Sequence, residues 1–285
     1  MTDAVAAITS VRAAPVVAAR RLHRRRDRVE EGRFLAEGPR AVGEALSEHR
    51  ARGGVVLELF CTEGADVRHP TVVVAAQQLG VPTHVVSEHV AATLSETRTP
   101  QGLIAVCALP ESSLSGLLAT APRLVVVLVD VADPGNAGTV VRVADAAGAD
   151  GVVFAGSTVD PYNGKCVRAS TGSLFHLPVV TADSADAVVT ALRESGLRVL
   201  AADVHAPADL NDAGADGLLT GNVAWLFGHE VRGLTGEGGQ APYVANGAHH
   251  TIRVPIYGRA ESLNLATAAA VCLYATVSAR QATVQ

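Results

Sequence analysis

The sequence predicts an α/β protein whose larger, carboxyl-terminal domain contains a parallel sheet with helices on both faces. A continuous apolar run over 124–129 is typical of a strand that is buried on both of its faces. Strand-like and helix-like patterns alternate from that run to the end of the chain, and repeated βα units build parallel sheets. A shorter α/β series precedes a segment rich in turn-forming residues at 109–116. We therefore expect a smaller domain at residues 1–108, a linker at 109–122 and the larger domain at 123–285.

The smaller domain begins with a strongly basic segment. Residues 1–40 hold nine Arg and five acidic residues, whereas the whole chain has a net charge of −5, so the remainder carries about −9. Because guanidinium groups bind phosphates bidentately, this segment is the best candidate for contacts with an RNA or DNA backbone, although a basic run is also compatible with a solvated face. The predicted contacts are Arg20, Arg21, Arg24, Arg25, Arg26 and Arg28.

The periodicity of apolar residues predicts the individual elements of both domains. In the smaller domain we expect a helix ending near Gly32, strands at 33–36, 55–61, 83–86 and 103–108, and helices at 40–52, 71–79 and 88–94. In the larger domain we expect strands at 124–129, 151–154, 177–181, 197–202, 223–227 and 252–256, and helices around Arg142, at 165–174, up to Glu194 and at 265–278.

Cysteine usage and hydropathy exclude several classes of protein. The four cysteines lie far apart without a C-x-x-C pair, so we predict no metal site and a reducing, cytoplasmic location. The uncharged stretch 262–279 is nearly long enough to span a membrane. Its abundance of Ala, Ser, Thr and Asn favours burial inside a domain or between subunits, and we expect no membrane span.

Polar side chains follow three of the predicted strands, at the edge where parallel sheets bind ligands. Asn136 and Arg142 follow the first strand, Glu230 follows the strand at 223–227, and Ser262 and Asn264 follow the last. Each residue taken alone also fits a turn, a helix cap or a helix surface. Neither the G-x-G-x-x-G spacing of dinucleotide-binding loops nor a phosphate-binding loop with G-K-[ST] occurs, which argues against a nicotinamide cofactor and against ATP hydrolysis.

Three motifs give these residues a specific context. They are Asp-Pro-Gly-Asn-x-Gly-x-x-x-Arg-x-Ala at 133–144, Leu-Phe-Gly-His-Glu-x-x-Gly-Leu at 226–234, and Val-Pro-Ile-x-Gly-x-x-Glu-Ser-Leu-Asn-Leu at 254–265. In order and spacing they resemble the motifs of the SpoU (TrmH-like) branch of the SPOUT RNA methyltransferases. Residues 171–178 resemble the family's connecting segment, and 34–38 with 100–102 resemble its amino-terminal substrate-binding domain. One departure is His229, where Asn is commoner; it leaves Glu230 in place.

The resemblance implies transfer of a methyl group from S-adenosylmethionine to a ribose 2′-hydroxyl of structured RNA by a homodimer. It also implies a deep trefoil knot in the SPOUT domain and a ribosomal-protein-like substrate-binding domain. By motif position, the cofactor contacts are Thr171, Leu226, Gly228, Val254, Ile256 and Leu263. The catalytic positions are Asn136, Arg142, Glu230, Ser262 and Asn264.

Two of these catalytic positions carry more specific expectations. Arg142 has been proposed in the family as the general base, but a guanidinium essentially never deprotonates in proteins, so binding the target's phosphate is the safer role. Ser262 is expected to cap the last helix.

Other functions stay open. A SPOUT enzyme that methylates a base or a tRNA would share the fold, and a non-catalytic RNA-binding or assembly factor would keep it without the chemistry. Asn136 with Arg142, and the Ser-Leu-Asn sequence at 262–264, favour a ribose target. The separate amino-terminal domain favours rRNA over tRNA, by analogy alone.

Overall fold

The computed structural model of the protein describes residues 7–228, residue 234 and residues 247–284. The chain forms two compact units. The first comprises Met1–Glu111 with Tyr162–His176, and the second comprises Ser112–Pro161 with Leu177–Gln285.

The first unit is built on a four-stranded sheet with the order β1-β4-β2-β3. Its strands are β1 Arg33–Glu37, β2 Val56–Cys61, β3 Thr83–Val85 and β4 Leu103–Ala108. Its helices are α1 Ala14–Arg21, α2 Arg25–Glu31, α3 Pro39–Arg52, α4 Glu63–Arg68, α5 Pro70–Gln78, α6 Glu88–Leu94 and, later in the chain, α9 Gly164–Ser170, with a 3₁₀ turn at Ser173–Phe175. β4 runs antiparallel to both β1 and β2, whereas β2 and β3 are parallel.

The basic segment forms two helices, α1 and α2, rather than one. Arg24 between them has an extended backbone with ψ 131°, which interrupts the helical path. As expected, Gly32 ends α2 in the left-handed region at φ 62°, a conformation that glycine adopts without steric cost. Val16 of α1 and Leu22, the residue after its end, are buried in the core, so α1 is fixed to the sheet by apolar packing.

Residues 162–176 pack in the first unit although the sequence places them inside the larger predicted domain. The ring of Phe34 in β1 lies 4.9 Å from that of Tyr162 and 5.9 Å from that of Phe175, measured between centroids. Nη1 of Arg168 donates a hydrogen bond of 3.2 Å to Oε2 of Glu37. The first unit is therefore assembled from two separate stretches of chain.

The second unit contains a seven-stranded sheet with the order β7-β6-β5-β10-β8-β11-β9. Its strands are β5 Leu124–Val129, β6 Gly151–Ala155, β7 Val179–Ala182, β8 Arg198–Ala202, β9 Ala208–Asp209, β10 Val223–Phe227 and β11 His250–Arg253. Its described helices are α7 Leu114–Ala119, α8 Pro134–Ala146, α10 Ala185–Glu194, α11 Leu210–Ala215 and α12 Leu265–Val284. All neighbouring strands pair in parallel, which confirms the predicted α/β class.

Three details differ from the expected elements. The turn-rich segment expected as a linker contains α7, whose Leu114, Leu117 and Leu118 have helical spacing; Leu117 is 3% exposed in the core. β11 ends at Arg253, before Pro255 and earlier than expected, and residues 254–264 form the connection to α12. β9 and α11 were not expected, because two residues of strand and six of helix are too short to give a periodic signal.

Helices cover both faces of the parallel sheet. Leu226 of β10 packs in the same core as Val188 and Leu192 of α10. Trp225, the preceding residue of β10, points the other way, and its Nε1 donates a hydrogen bond of 2.9 Å to Oγ1 of Thr276 in α12. Both partners are fully buried, so this bond fixes α12 against the sheet.

The described residues include no helix both long and apolar enough to cross a membrane. All four cysteines are buried as free thiols. The predicted knot involves the carboxyl-terminal part of the chain, where residues 229–233 and 235–246 lie outside the described ranges, and it stays a prediction.

Candidate active site

Asn136 is positioned by the loop that connects β5 to α8. Asp133 caps α8, and its Oδ1 accepts a hydrogen bond of 2.8 Å from the backbone N–H of Asn136. Pro134 occupies the first helical turn, where its missing N–H costs nothing. The turn sequence thus places Asn136 in the first turn of α8, just beyond the carboxyl end of β5, which pairs with the middle strand β10.

Asn264 is the cap of α12. Its Oδ1 accepts hydrogen bonds from the backbone N–H groups of Ala266 at 2.9 Å and Thr267 at 3.4 Å. The expectation that Ser262 caps this helix was wrong: α12 begins at Leu265, and the cap is the residue immediately before the first helical one. Ser262 lies two residues earlier with an exposed side chain.

Asn264 also joins the two helix starts. Its Nδ2 donates a hydrogen bond of 2.9 Å to Oδ1 of Asn136. Because the capping bonds require Oδ1 of Asn264 to face the helix, its Nδ2 must face Asn136, and this fixes which way both amides point. Asn136 therefore turns its amide oxygen toward Asn264, and this orientation also fixes the direction of its Nδ2 group.

Arg142 does not join this pair. It lies six residues after Asn136 on α8, which at 3.6 residues per turn places it roughly 120° away around the helix axis. Its side chain is exposed and makes no hydrogen bond or ion pair with any residue in the described ranges. The remaining catalytic position, Glu230, lies outside the described residues together with His229.

The predicted cofactor positions of the second unit surround the ends of β10 and β11. Leu226 is 0% exposed, in register with Val127 of β5 and Ala201 of β8. Gly228, the residue after the end of β10, is buried, whereas Val254 is half-buried and Ile256 is 37% exposed.

Four of these residues have main-chain N–H and C=O groups without a partner among the described residues. They make no hydrogen bond to any other residue that the structure describes; the residues are Gly228, Val254, Ile256 and Leu263. Gly228 directly precedes residues 229–233, which lie outside the described ranges. Backbone N–H and C=O groups among apolar walls are a suitable lining for a nucleoside.

Thr171 belongs to the first unit, where it ends α9. Its backbone is in the left-handed region at φ 55°. A β-branched residue there costs on the order of 1–3 kcal/mol, and such strained positions cluster at functional sites. Its Oγ1 donates a hydrogen bond of 3.2 Å to the carbonyl of Ala169.

The basic helices divide into exposed and buried arginines. Arg28 is only 4% exposed, and its Nη1 donates to the carbonyls of Leu22 at 2.8 Å and His23 at 2.9 Å. Its guanidinium therefore holds the end of α1 against α2, and the prediction that it contacts nucleic acid is corrected to a structural role. The exposed members of the predicted set are Arg20, Arg21, Arg24, Arg25 and Arg26.

Comparison with known proteins gives matches over nearly the whole chain. Residues 123–274 match the SpoU rRNA Methylase family, and residues 15–105 match the MRM3-like substrate binding domain. The 23S rRNA (guanosine(2553)-2′-O)-methyltransferase RlmP of Bacillus subtilis is 34% identical over 256 residues, which cover 90% of this chain and 92% of that protein.

Solved structures agree with these matches. The AdoMet-bound rRNA methyltransferase from Sinorhizobium meliloti has a TM-score of 0.79 at 30% identity, covering 95% of this chain and 97% of its own. The SpoU methyltransferase AviRb from Streptomyces viridochromogenes, in complex with AdoMet, has a TM-score of 0.77 at 28% identity, covering 95% of this chain and 100% of its own.

Proposed function

The chain belongs to the SpoU rRNA methylase family, and we propose that it transfers a methyl group from S-adenosylmethionine to a ribose 2′-hydroxyl of ribosomal RNA. The observation that carries the proposal is the edge of the parallel sheet itself. The Asn136–Asn264 amide pair lies beyond the carboxyl ends of β5 and β11. Gly228, Val254 and Ile256 lie beyond the carboxyl ends of β10 and β11, and their main-chain groups make no hydrogen bond to another described residue. The first set suits a ribose and the second suits a nucleoside cofactor.

The cofactor contacts we propose are main-chain groups of Leu226, Gly228, Val254, Ile256 and Leu263, together with Thr171. When bound, S-adenosylmethionine supplies the methyl group from its sulfonium. Apolar side chains at these positions exclude water, while backbone N–H and C=O groups recognise the adenine edge. The paired amide of Asn136 orients the ribose so that its hydroxyl oxygen lies in line with the methyl carbon.

The remaining catalytic positions bind the substrate, and their charges limit where the proton of the attacking hydroxyl can go. Arg142 binds the phosphate beside the target ribose, because its guanidinium stays protonated and offers a bidentate fork. Glu230 supplies a carboxylate partner for an arginine, and the exposed hydroxyl of Ser262 contacts substrate. The proton of the attacking hydroxyl leaves to water or to a carboxylate rather than to the guanidinium.

We propose a homodimer in which Arg142 serves the site of the partner subunit. Its direction on α8, away from Asn136, and its lack of a partner among the described residues support this arrangement. α12 adds an apolar surface for a partner, since Val271 is 38% and Tyr274 is 51% exposed. An rRNA substrate would place the protein in the cytoplasm.

RNA binding by the first unit is assigned to the exposed arginines of α1 and α2 and of the turn between them. They are Arg20, Arg21, Arg24, Arg25 and Arg26. Phosphate contacts release counterions, so RNA affinity should fall steeply as salt is raised. A flat affinity between low and moderate salt would count against this assignment.

Subunit mixing tests the active site and the dimer together. Purified variants are incubated with tritiated S-adenosylmethionine and 23S rRNA from cells that lack the gene, and alkali-resistant ribose linkages are mapped. We expect Arg142→Ala and Gly228→Val each to abolish transfer, the second by placing a side chain where the cofactor would bind.

An equal mixture of those two variants should recover about one quarter of the wild-type rate, because half the dimers are mixed and each has one complete site. No recovery after subunit exchange would mean that Arg142 serves its own subunit. Label on a base would favour a base methyltransferase, and absence of both transfer and cofactor binding would favour a non-catalytic RNA-binding protein.

A further inference from the structure

Tyr257 is the most exposed large apolar side chain in the described part of the chain, at 87%. It lies in the loop between β11 and α12, one residue after Ile256 and five before Ser262. A tyrosine ring has a large apolar body that folding normally removes from water. Its exposure inside the loop that carries the third motif makes the ring a candidate contact for a ligand.

The ring is held in place although it is exposed. Its phenol oxygen accepts a hydrogen bond of 3.1 Å from Nδ2 of Asn211, in the first turn of α11. Asp209 caps α11 through its Oδ1, which accepts from the backbone N–H of Asn211 at 2.9 Å. Asp209 also pairs with Arg253 at the end of β11, with 3.5 Å between Oδ2 and Nη2.

These contacts tie the tip of the ring to α11, β9 and β11 and leave its faces open. A side chain fixed in this way loses little conformational entropy when it binds a flat ligand. The ring is thus organised for stacking before any ligand arrives.

We propose that Tyr257 stacks on an unpaired nucleobase of the RNA substrate, at or beside the nucleotide that is methylated. This inference rests on the proposed function and extends it to substrate positioning. A protein that acts on one nucleotide of a structured RNA generally takes up bases that are splayed out of a helix, and aromatic faces receive them.

The surroundings of Tyr257 fit a base better than a protein partner. The loop positions Arg259, Glu261 and Ser262 are exposed and polar, although Ile256 and Ala260 are exposed as well, so charged and polar groups flank the ring, unlike the charge-depleted core of a protein interface. A stacked base needs only one ring face. Arg259, two residues along, provides a positive charge for the adjoining phosphate.

The expected effect follows from the strength of stacking. A base on an aromatic ring contributes a factor of about 5 to 150 in binding. We expect Tyr257→Ala to lower kcat/KM for 23S rRNA by a factor in that range, mainly through KM, with the affinity for S-adenosylmethionine unchanged. Tyr257→Phe keeps the ring, and its kcat/KM should stay within about threefold of wild type. The same holds for Asn211→Ala, since each substitution removes only the exposed hydrogen bond between Asn211 and the phenol oxygen.

The test measures kcat and KM for unmodified 23S rRNA, the dissociation constant of S-adenosylmethionine by calorimetry and the oligomeric state by light scattering, for all four proteins. A selective rise of KM in Tyr257→Ala supports the inference.

Four results would overturn it. They are wild-type kinetics in Tyr257→Ala, equal losses in the Ala and Phe variants, weakened cofactor binding, and a changed oligomeric state, which would show that Tyr257 meets the partner subunit. A wild-type protein without ribose methylation would refute the proposed function and this inference with it, whereas an active wild type beside an unaffected Tyr257→Ala would refute the inference alone.

Discussion

Substitutions at Asn264 separate its two roles, the helix cap and the donor to Asn136. Asn264→Ser keeps a capping oxygen but removes the amide donor, whereas Asn264→Ala removes both. Asn264→Asp keeps the cap and adds a negative charge at a helix start, where the dipole favours it. The changes in stability and the changes in activity should therefore follow different orders among the three variants.

The magnitudes follow from the contacts. Losing the cap, with its bonds of 2.9 and 3.4 Å to backbone N–H groups, should cost about 1 kcal/mol in the Ala variant and little in Ser or Asp. That corresponds to a fall of about 2–4 °C in the melting temperature of a chain of this size. Losing the 2.9 Å bond to Asn136 removes about 0.5–1.5 kcal/mol of orientation, or about 2- to 12-fold in kcat/KM, in all three variants.

Of the three variants, Asn264→Asp should show the largest loss of activity together with the smallest loss of stability. Two oxygens would face each other, and Asn136 can restore the hydrogen bond only by rotating its amide by 180°. That rotation exchanges the positions of the oxygen and the N–H donor of Asn136, so the amide can no longer orient the ribose as in the wild type. The variant should therefore be at least as stable as wild type and clearly slower.

Thermal unfolding and steady-state methylation of 23S rRNA measure the two effects. Asn136→Ala combined with each Asn264 variant completes double-mutant cycles, which should give a coupling for the bond and none for the cap. Equal melting temperatures for Ala and Ser, or wild-type activity in Ser, would refute the assignment of the cap or of the bond, respectively.

Three further changes have outcomes fixed by the structure. Thr276→Val should lower the free energy of unfolding by about 1–3 kcal/mol in chemical denaturation, because it leaves the buried indole N–H of Trp225 unpaired, while Thr276→Ser should not. Arg28→Ala should destabilise the protein, whereas Arg25→Ala should leave stability unchanged and reduce the salt dependence of RNA binding; the reverse pattern would contradict the burial of Arg28. Partial desolvation of its largely exposed ring, together with the nearby positive charges of Arg193 and Arg198, lowers the pKa of His249, whose Nδ1 accepts a hydrogen bond of 2.9 Å from the backbone N–H of Val199. Its contribution to stability is therefore present above the unfolded-state pKa and is lost as the pH falls through the folded-state pKa, so His249→Gln should lose less stability than wild type between pH 7.5 and 5.5.

The parallel sheet was predictable because its strands carry their own signal. The run at 124–129 is apolar at every position, which only a strand covered on both faces requires. The turn before α8 was similarly visible in the sequence Asp-Pro-Gly-Asn at 133–136, although the capping role of Asp133 emerged only from the structure. Such local patterns need no knowledge of the tertiary structure.

Other features depend on partners that are distant in the sequence. Residues 162–176 join the first unit because Phe34 and Glu37 meet Tyr162 and Arg168, and no local pattern encodes those pairings. Arg28 looks like its basic neighbours until the fold buries it. Tyr257 has no periodic context in its loop, so only its exposure in the structure distinguishes it from a core tyrosine.

The most direct test of the account is mass spectrometry of nuclease-digested 23S rRNA after incubation with the wild-type protein and deuterated S-adenosylmethionine. We predict one new labelled 2′-O-methylnucleoside at a single position, absent when Arg142→Ala replaces the wild type. A labelled base, or unlabelled RNA despite bound cofactor, would contradict ribose methylation as the function of this site.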